Sequence, residues 1–463
     1  MTSLRAYIAI AAIAILGCLA QRLVGGEPIP SIHDEFSYLL AADTFSSGRI
    51  TNPSHPLWIS FETFHEIHHP TCASMYPPAQ GLFMAVGPRP AIGVSFSSIL
   101  LCIAVVWAAM PLLAPGWAFC AGLFAIGMSI STYWTSSYWG GSVAALGAAV
   151  VWGSAKRRLP IPLAVGILVL LNSRPFEGTV FIIAVMSVIR PRIVTAPFIA
   201  ILALGLAFMG YYNWRLTGNP FLMPYVLNAR EYLAHSLFWL APDPALPNYH
   251  YEVMRRLYVD TLAVDRSDWY KLFIYQFGPT GLHFGGLFVA LIFFAARRKY
   301  FEFWIVGGTV LASVLLLAWV RPHYLAPAMP LLAILMAAGT SELYATRFRI
   351  AAVALLAMWC CWRILYGSIS PYNPWMMKHA IDRQAIVDRL EHQGGKHLVL
   401  VRYDAAHDPN EEWVFNRADI DGSSIVWARE STPDQDSALK KYFRDRSIWL
   451  LEADQRRLTR KND

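Results

Sequence analysis

The chain has 463 residues, of which 56% are hydrophobic and only 15% charged, whereas about 25% of the residues of an ordinary soluble protein are charged. With a mean hydropathy of +0.40, this composition excludes a disordered chain and a small disulfide-rich secreted protein. It also disfavours a soluble enzyme. The six cysteines form no CxxC motif, so neither a disulfide framework nor a zinc site is indicated.

The charged residues are concentrated at the carboxyl end of the chain. Of the 69 charged residues, 31 lie within residues 378–463. The sequence therefore predicts an apolar body, residues 1–367, followed by a small soluble domain, residues 368–463. The net charge of +7 belongs to the body, and no basic stripe with interleaved aromatic residues indicates binding of nucleic acid.

Eleven apolar segments are candidates for membrane-spanning helices, which need roughly 20 residues each. They are residues 6–24, 91–112, 117–132, 141–155, 160–173, 177–190, 194–212, 279–296, 301–320, 324–340 and 350–367. We therefore expect a polytopic α-helical membrane protein with about 11 spans. The first segment has too weak a positive start for a cleaved signal peptide, and a lipoprotein-type Cys18 is a minor alternative.

The positions of Lys and Arg predict the orientation of these spans. If the N-terminus is cytoplasmic, every short basic cluster falls on the cytoplasmic side, as the positive-inside rule requires. The clusters are Lys156–Arg158, Arg190 with Arg192, Arg297–Lys299, and Arg347 with Arg349. The other side then holds two long outer loops, residues 25–90 and 213–278, and the tail. Loops of this length are usually functional.

The tail contains three predicted strands, residues 396–402, 425–428 and 447–451, with a helix near residues 439–443. Strands that alternate with helices are typical of a layered α/β unit. We therefore expect a small three-layer α/β domain.

An acidic pair, Asp34 and Glu35, follows the first span and precedes an amphipathic segment that ends at Gly48. Carboxylates near a membrane surface are costly unless they are solvated, paired or functional. Acidic side chains at a helix N-terminus often cap the helix and interact favourably with its dipole. Spacing alone slightly favours this capping role over a catalytic one.

Four features precede the second span: a short first helix, an outer loop opening with Asp34-Glu35, an amphipathic helix and a Tyr76-Pro77-Pro78 step. This order resembles the GT-C glycosyltransferases, multi-spanning enzymes that take a sugar from a polyprenyl phosphate carrier. Protein O-mannosyltransferases and the aminoarabinose transferases of lipid A are similar in kind. The resemblance is specific over residues 1–90 and continues through the body as topology. Tail segments such as Glu412–Asp421 do not match those two families.

The resemblance implies a role for the acidic pair. In the family, the first-loop acid is the catalytic base or the hydrogen-bond partner of the acceptor, which here corresponds to Asp34, with Glu35 beside it. A carboxylate within hydrogen-bond reach can take the proton of a hydroxyl that attacks an anomeric carbon. Displacement in one step then inverts that carbon.

A departing phosphate needs cationic groups or hydrogen-bond donors, and the bidentate fork of Arg suits it best. Arg321, His323 and Tyr324 lie between the ninth and tenth spans, and Arg174 ends the fifth. A basic residue before an apolar Tyr-x-x-Pro helix start also resembles the carrier-phosphate region of the family. The alternatives are snorkelling to lipid headgroups and, for Arg174, an ion pair with Glu177.

The remaining predicted pocket residues are His33, Tyr76, Tyr138, Trp139 and Glu177. Aromatic faces can stack on sugar rings, although aromatic residues at this depth more often form an interfacial belt. The two interpretations stay open at this point.

A histidine-dense stretch offers a weak candidate metal site at His65 and His69, which are spaced i, i+4. The more common interpretation is that such loop histidines bind headgroups, substrate or nothing. The sequence establishes no cofactor. The resemblance leaves open a requirement for a divalent cation, Mg²⁺ or Mn²⁺.

The leading hypothesis is a glycosyltransferase of the bacterial inner membrane with its active site and tail in the periplasm. It would move a sugar from a polyprenyl-phosphate carrier to a hydroxyl on a lipid, glycan or protein. A transporter or flippase of lipid-linked glycans is the alternative, but the expected intramembrane charges and paired half-repeats are not evident. A non-catalytic envelope protein would leave the acidic pair and the arginines unexplained.

Overall fold

The computed structural model describes residues 1–191, 193–263, 300–369 and 378–461. Helices dominate it. The α-helices of these residues are α1 Ser3–Gly25, α2 His33–Ser46, α3 Pro78–Met84, α4 Pro90–Ala109, α5 Pro115–Met128, α6 Tyr133–Ser136, α7 Ser142–Arg157, α8 Pro160–Leu171, α9 Pro175–Ile189, α10 Ala196–Thr217, α11 Pro224–Tyr232, α12 Glu252–Arg255, α13 Phe301–Val314, α14 Met329–Tyr344, α15 Arg349–Ile369, α16 Lys378–Gln393 and α17 Pro433–Tyr442. The same residues also form two 3₁₀ helices, Trp58–Phe61 and Pro322–Ala328, and a π-helical turn, Arg256–Thr261.

A helix lies at ten of the eleven predicted spans, and the segment 279–296 lies outside the described residues. Among the described residues, α1, α4, α10 and the continuous stretch Pro322–Tyr344 are long and apolar enough to cross a membrane. Many of these helices begin with proline, whose fixed φ suits the first turn and whose missing N–H leaves no donor unpaired. The chain is thus a mostly helical membrane protein.

Small residues bring the helices of the bundle together. Helix α7 packs between α4 and α8, and its Ala145, Ala148 and Ala149 are fully buried. A Cβ atom on Gly153 would lie only 2.3 Å from the ring of Trp107 on α4. Small side chains allow helix backbones to approach closely where lipid offers no hydrophobic driving force.

The first long loop, residues 25–90, folds around α2. Its strands β1 Asn52–Pro53, β2 Glu66–Ile67 and β3 Thr71–Ser74 form an antiparallel sheet in the order β1-β3-β2. The hydroxyl of Ser37 on α2 donates to the carbonyl of His65 at 2.6 Å. This hairpin therefore holds a fixed position beside α2.

The tail has strands at the three predicted positions, β4 His397–Arg402, β5 Ile425–Arg429 and β6 Ser447–Glu452, and they pair in parallel. An antiparallel edge strand, β7 Arg457–Arg460, completes the order β5-β4-β6-β7. Helix α16 packs on one face of the sheet and α17 on the other, as three layers require. Strand β7 was not predicted because it is polar and largely exposed, without an alternating apolar pattern.

The tail does not complete its core alone. Phe61 of the first long loop is 2% exposed and packs with Leu398, Val426 and Phe443 of the tail. The first long loop and the tail therefore share a hydrophobic core. The domain boundary at residues 367 and 368 stays a prediction.

Candidate functional site

Glu35 is buried at the start of α2 and is surrounded by backbone donors. Its Oε2 atom accepts from the N–H groups of Ser31 at 2.7 Å and Ile32 at 3.2 Å, and its Oε1 atom accepts from the N–H group of Tyr138 at 2.9 Å. Burial raises the pKa of Glu35 to about 7, although these hydrogen bonds lower it. The contacts favour the capping interpretation for Glu35, whose catalytic role stays a prediction.

Asp34 lies one residue earlier and points elsewhere. Its Oδ1 atom accepts a hydrogen bond from the hydroxyl of Tyr76, and its Oδ2 atom lies 4.0 Å from Nε2 of His65. The carboxylate is 23% exposed, so it can be reached. Burial raises the pKa of Tyr76 well above its ordinary value, and the Asp34 carboxylate raises it further, which keeps the phenol protonated as a donor.

Arg174 stands immediately before α9, in the turn after α8. Its guanidinium lies over the ring of Tyr324 at 4.7 Å from the centroid. It also interacts electrostatically with Tyr38, Tyr76 and Glu177. Glu177, which is 5% exposed, lies close enough to Arg174 to act on its charge, and the predicted ion pair between them stays a prediction.

The 3₁₀ helix Pro322–Ala328 brings Tyr324 to the same place. Tyr324 interacts electrostatically with Arg174, Arg321 and Asp34, in addition to Glu177. The rings of Tyr76 and Tyr38 are stacked with their centroids 4.4 Å apart. Asp34 and Tyr324 also lie close enough to Tyr76 to act on it electrostatically. Residues that are distant in sequence thus meet in one electrostatic cluster.

Other predicted pocket residues are packed rather than open. His323 hydrogen bonds through Nδ1 to the hydroxyl of Tyr133 at 3.1 Å and touches the ring of Trp139, with centroids 4.4 Å apart. Tyr138 and Trp139 are each 5% exposed and belong to a buried cluster with Tyr38. Their roles as sugar-stacking residues stay predictions.

The first-loop histidines take different positions. His65 faces Asp34, and its ring is 5.7 Å from that of His33. His69 is exposed and stacks with Trp58 at 6.2 Å. Within the described ranges, no group of three His, Cys, Asp or Glu side chains is arranged to hold a metal ion. A divalent cation stays a prediction.

A buried ionic junction next to this site was not predicted. Arg429 of β5 donates to Glu412 at 2.6 Å and to the backbone carbonyl of Glu62 at 2.8 Å, and its guanidinium lies over the ring of Tyr251 at 5.2 Å. The junction joins the tail to both long loops. Its only signal in the sequence is charge within apolar tail segments, as in Val426-Trp427-Ala428-Arg429.

The fold is shared with two solved enzymes. ArnT, the aminoarabinose transferase of Cupriavidus metallidurans bound to undecaprenyl phosphate, matches with a TM-score of 0.55 and 12% identity, over 96% of this chain and 92% of that one. The oligosaccharyltransferase of Archaeoglobus fulgidus, tethered with an acceptor peptide containing the NVT sequon, matches with a TM-score of 0.52 and 12% identity, over 93% of this chain. The match spans 64% of the archaeal enzyme's length.

No family profile matches the chain, and no curated protein matches it in sequence. Both solved enzymes are members of the GT-C superfamily. At 12% identity the likeness concerns the fold. The chain therefore shares the fold of these two enzymes, as the resemblance in its first 90 residues implied.

Proposed function

We propose that this GT-C chain is a glycosyltransferase that moves a sugar from a polyprenyl-phosphate carrier to an acceptor hydroxyl, with inversion at the anomeric carbon. The observation that carries the proposal is the cluster around Tyr324, whose ring lies under the guanidinium of Arg174 at 4.7 Å and which has Arg321 and Asp34 close enough to act on it electrostatically. A base and a pair of cations within one cluster are what a displacement at a sugar phosphate needs.

In this proposal, Asp34 accepts the proton of the acceptor hydroxyl while the hydroxyl oxygen bonds to the anomeric carbon. The bond from that carbon to the carrier phosphate breaks, and its electron pair stays on the phosphate oxygen. Arg174 and Arg321 stabilise the departing phosphate. The hydrogen bond from Tyr76 holds one oxygen of Asp34, and the other oxygen lies 4.0 Å from Nε2 of His65.

We propose that the lipid tail of the carrier passes beside a small apolar pocket. The pocket lies between the α8–α9 turn, α10 and the start of α11, and its lining consists of Met75, Pro77, Pro78, Leu171, Asn172, Pro175, Met209, Tyr212, Asn213, Met223, Pro224 and Tyr225. Tyr225 interacts electrostatically with Arg174, Glu177 and Tyr324. Tyr225, on the lining of the pocket, therefore lies near the proposed phosphate site.

The ArnT structure supports the choice of carrier, since that enzyme holds undecaprenyl phosphate in a chain of nearly the same extent. The acceptor remains a hydroxyl on a lipid, glycan or protein. We place the protein in the bacterial inner membrane with Asp34 on the periplasmic side, because the basic clusters of the sequence lie on the other side.

Replacement of Asp34 by Asn tests the proposal. The purified protein would be placed in nanodiscs with undecaprenyl-phosphate-linked sugars and an envelope lipid extract, and release of free undecaprenyl phosphate followed by mass spectrometry. We expect D34N to lose about 100-fold or more of the transfer rate, because general base catalysis typically contributes about 10²–10⁴-fold.

The matched control is D445N, at an exposed tail aspartate that pairs with Lys396. It should transfer at the wild-type rate and melt at the same temperature as D34N. Near-normal transfer by D34N would overturn the role of Asp34. Movement of intact donor across a bilayer without loss of sugar would instead support the transporter hypothesis.

A further inference from the structure

One face of α2 is covered along its whole length by the tail. The residues on this face are His33, Phe36, Leu40 and Asp43, whose spacing of three, four and three residues places them in one row on a helix. Each of them has at least one partner within tail residues 409–418. We name this tail segment the α2 clamp.

The amino-terminal half of the row is held by aromatic contacts. Phe36 is stacked on Phe415 with ring centroids 3.9 Å apart and planes only 1° from parallel. The ring of His33 lies 6.2 Å from that of Phe415 and hydrogen bonds to the backbone of Pro409. Stacked aromatic pairs stabilise a contact beyond what their buried area alone contributes.

Arg383 of α16 ties this half of the clamp to the remainder of the tail. Its guanidinium lies 5.1 Å from the ring of Phe36 and donates to the carbonyls of Trp413 at 3.1 Å and Phe415 at 2.9 Å. The position of Phe415 is therefore set by the folded tail, rather than by a free loop.

The carboxyl-terminal half of the row is held by charge. The Asp43 carboxylate accepts from the guanidinium of Arg417 at 2.7 Å and from the N–H group of Ala418 at 2.9 Å. Leu40 packs with Ala418 and Cys72 in a small buried cluster. Contacts at both ends of α2 prevent it from rolling about its axis.

Asp34 lies on a different face of the same helix. It follows His33 by one residue, which is a rotation of about 100° in an α-helix. A carboxylate about 5 Å from the helix axis moves by about 1 Å when the helix rolls by about 10°. A misplacement of about 1 Å can cost about 100-fold in rate.

We propose that the α2 clamp sets the roll of α2 and thereby positions Asp34, so that the tail is part of the catalytic machinery through its positioning residues Phe415 and Arg417. This inference rests on the proposed transferase function. Neither residue touches Asp34, so the clamp acts through the helix.

Two measurements on full-length protein in nanodiscs test the clamp. The first is hydrogen–deuterium exchange of peptides from α2 and from β4–β6, and the second is transfer kinetics with an undecaprenyl-phosphate-linked sugar. For F415L, we expect exchange in α2 to rise about tenfold with little change in β4–β6. We also expect kcat to fall about 10-fold or more while KM for the donor changes by less than twofold.

Two matched controls separate positioning from loss of tail stability. F443L removes an aromatic ring from the tail core and should raise exchange in the tail but leave kcat within twofold. R417A should lower kcat about threefold, whereas R402A, which breaks an exposed pair with Glu430 inside the tail, should leave it unchanged.

The outcomes distinguish the two proposals. A wild-type kcat and unchanged α2 exchange in F415L would overturn the clamp in an enzyme that still transfers sugar. Equal losses of kcat in F415L and F443L would also overturn it, because general stability would then explain them. If α2 exchanges faster in F415L than in the wild type but the wild-type protein transfers no sugar, the contact stands and the proposed function is overturned.

Discussion

The helix bundle and the joined loop–tail region are held together in different ways. In the bundle, fully buried positions such as Ala145, Ala148 and Ala149 are small and apolar. In the loop–tail region, Glu412 and Arg429 are at most 1% exposed, yet both are ionisable. Between helices in lipid, close packing of small residues decides the arrangement, whereas outside the lipid a buried charge is tolerated only with a partner.

This difference bears on the proposed function because Asp34 lies where the two regions meet. The bundle supplies Arg174 and Tyr324, and the loop–tail region supplies the acid and the helix that carries it. The candidate site therefore depends on close packing of small residues in the bundle and on the partnered buried charges of the loop–tail region. Substitutions in the two regions should therefore destabilise the protein in different ways.

The largest effect is expected at the ionic junction. Replacing Arg429 with Met leaves Glu412 buried without its cation, and breaking a buried pair in this way costs about 3–5 kcal/mol of unfolding free energy. Chemical unfolding monitored by tryptophan fluorescence would measure the loss. The control R402M breaks an exposed pair on the same sheet, which should cost about 1 kcal/mol or less.

A loss below about 1 kcal/mol in R429M would contradict the view that this junction holds the loop–tail region together. It would mean that Glu412 becomes protonated without cost or that water reaches it.

An intermediate effect is expected from acid. Burial and the charge of Arg429 together lower the pKa of His68 to about 4, and the N–H group of Thr63 donates to its Nε2 atom. The unfolded chain takes up this proton near pH 6.5, the folded protein only near pH 4. The His68 contribution, roughly 3 kcal/mol, is therefore present above pH 6.5 and is lost as the pH falls toward 4.

Melting temperatures between pH 4 and pH 7.5 would test this assignment. H68Q keeps an acceptor for Thr63 but has no proton to gain, so its melting temperature should fall less steeply on acidification than that of the wild type. Parallel pH profiles for the two proteins would show that His68 is not a source of acid sensitivity.

The smallest of the three effects is expected in the bundle. A Cβ atom on Gly93 of α4 would lie 2.0 Å from the backbone oxygen of Phe83, which cannot move as a side chain can. Overpacking of this kind costs about 1–3 kcal/mol. G93A should therefore lower the thermal unfolding temperature at every pH, without the pH dependence expected of the loop–tail region.

The matched control is G116A at the start of α5, where nothing lies within 4 Å of the added carbon. It should be neutral or slightly stabilising, since alanine favours a helix over glycine. Equal effects of the two substitutions would show that close packing at Gly93 does not limit the bundle.

Much of the fold follows from local pattern. Ten predicted spans coincide with helices, and the strands His397–Arg402 and Ser447–Glu452 lie where apolar runs indicated them. The resemblance singled out Asp34 as the candidate base, and Asp34, Arg174 and Arg321 all lie close enough to Tyr324 to act on it electrostatically. The contacts of Glu35 with backbone N–H groups fit the cap that spacing alone favoured.

The sequence by itself determined the apolar spans, the strands of the tail and an acidic pair after the first helix, because hydrophobic runs and periodicity are local properties. Only the tertiary structure decided which acid is buried among backbone donors and which lies partly exposed beside Tyr76 and His65. Asp34 and Glu35 are chemically alike and adjacent, but about 100° of helix rotation separates their directions. The partners that fix this rotation, such as Phe415, lie hundreds of residues away, and contacts at that distance leave no period in the sequence.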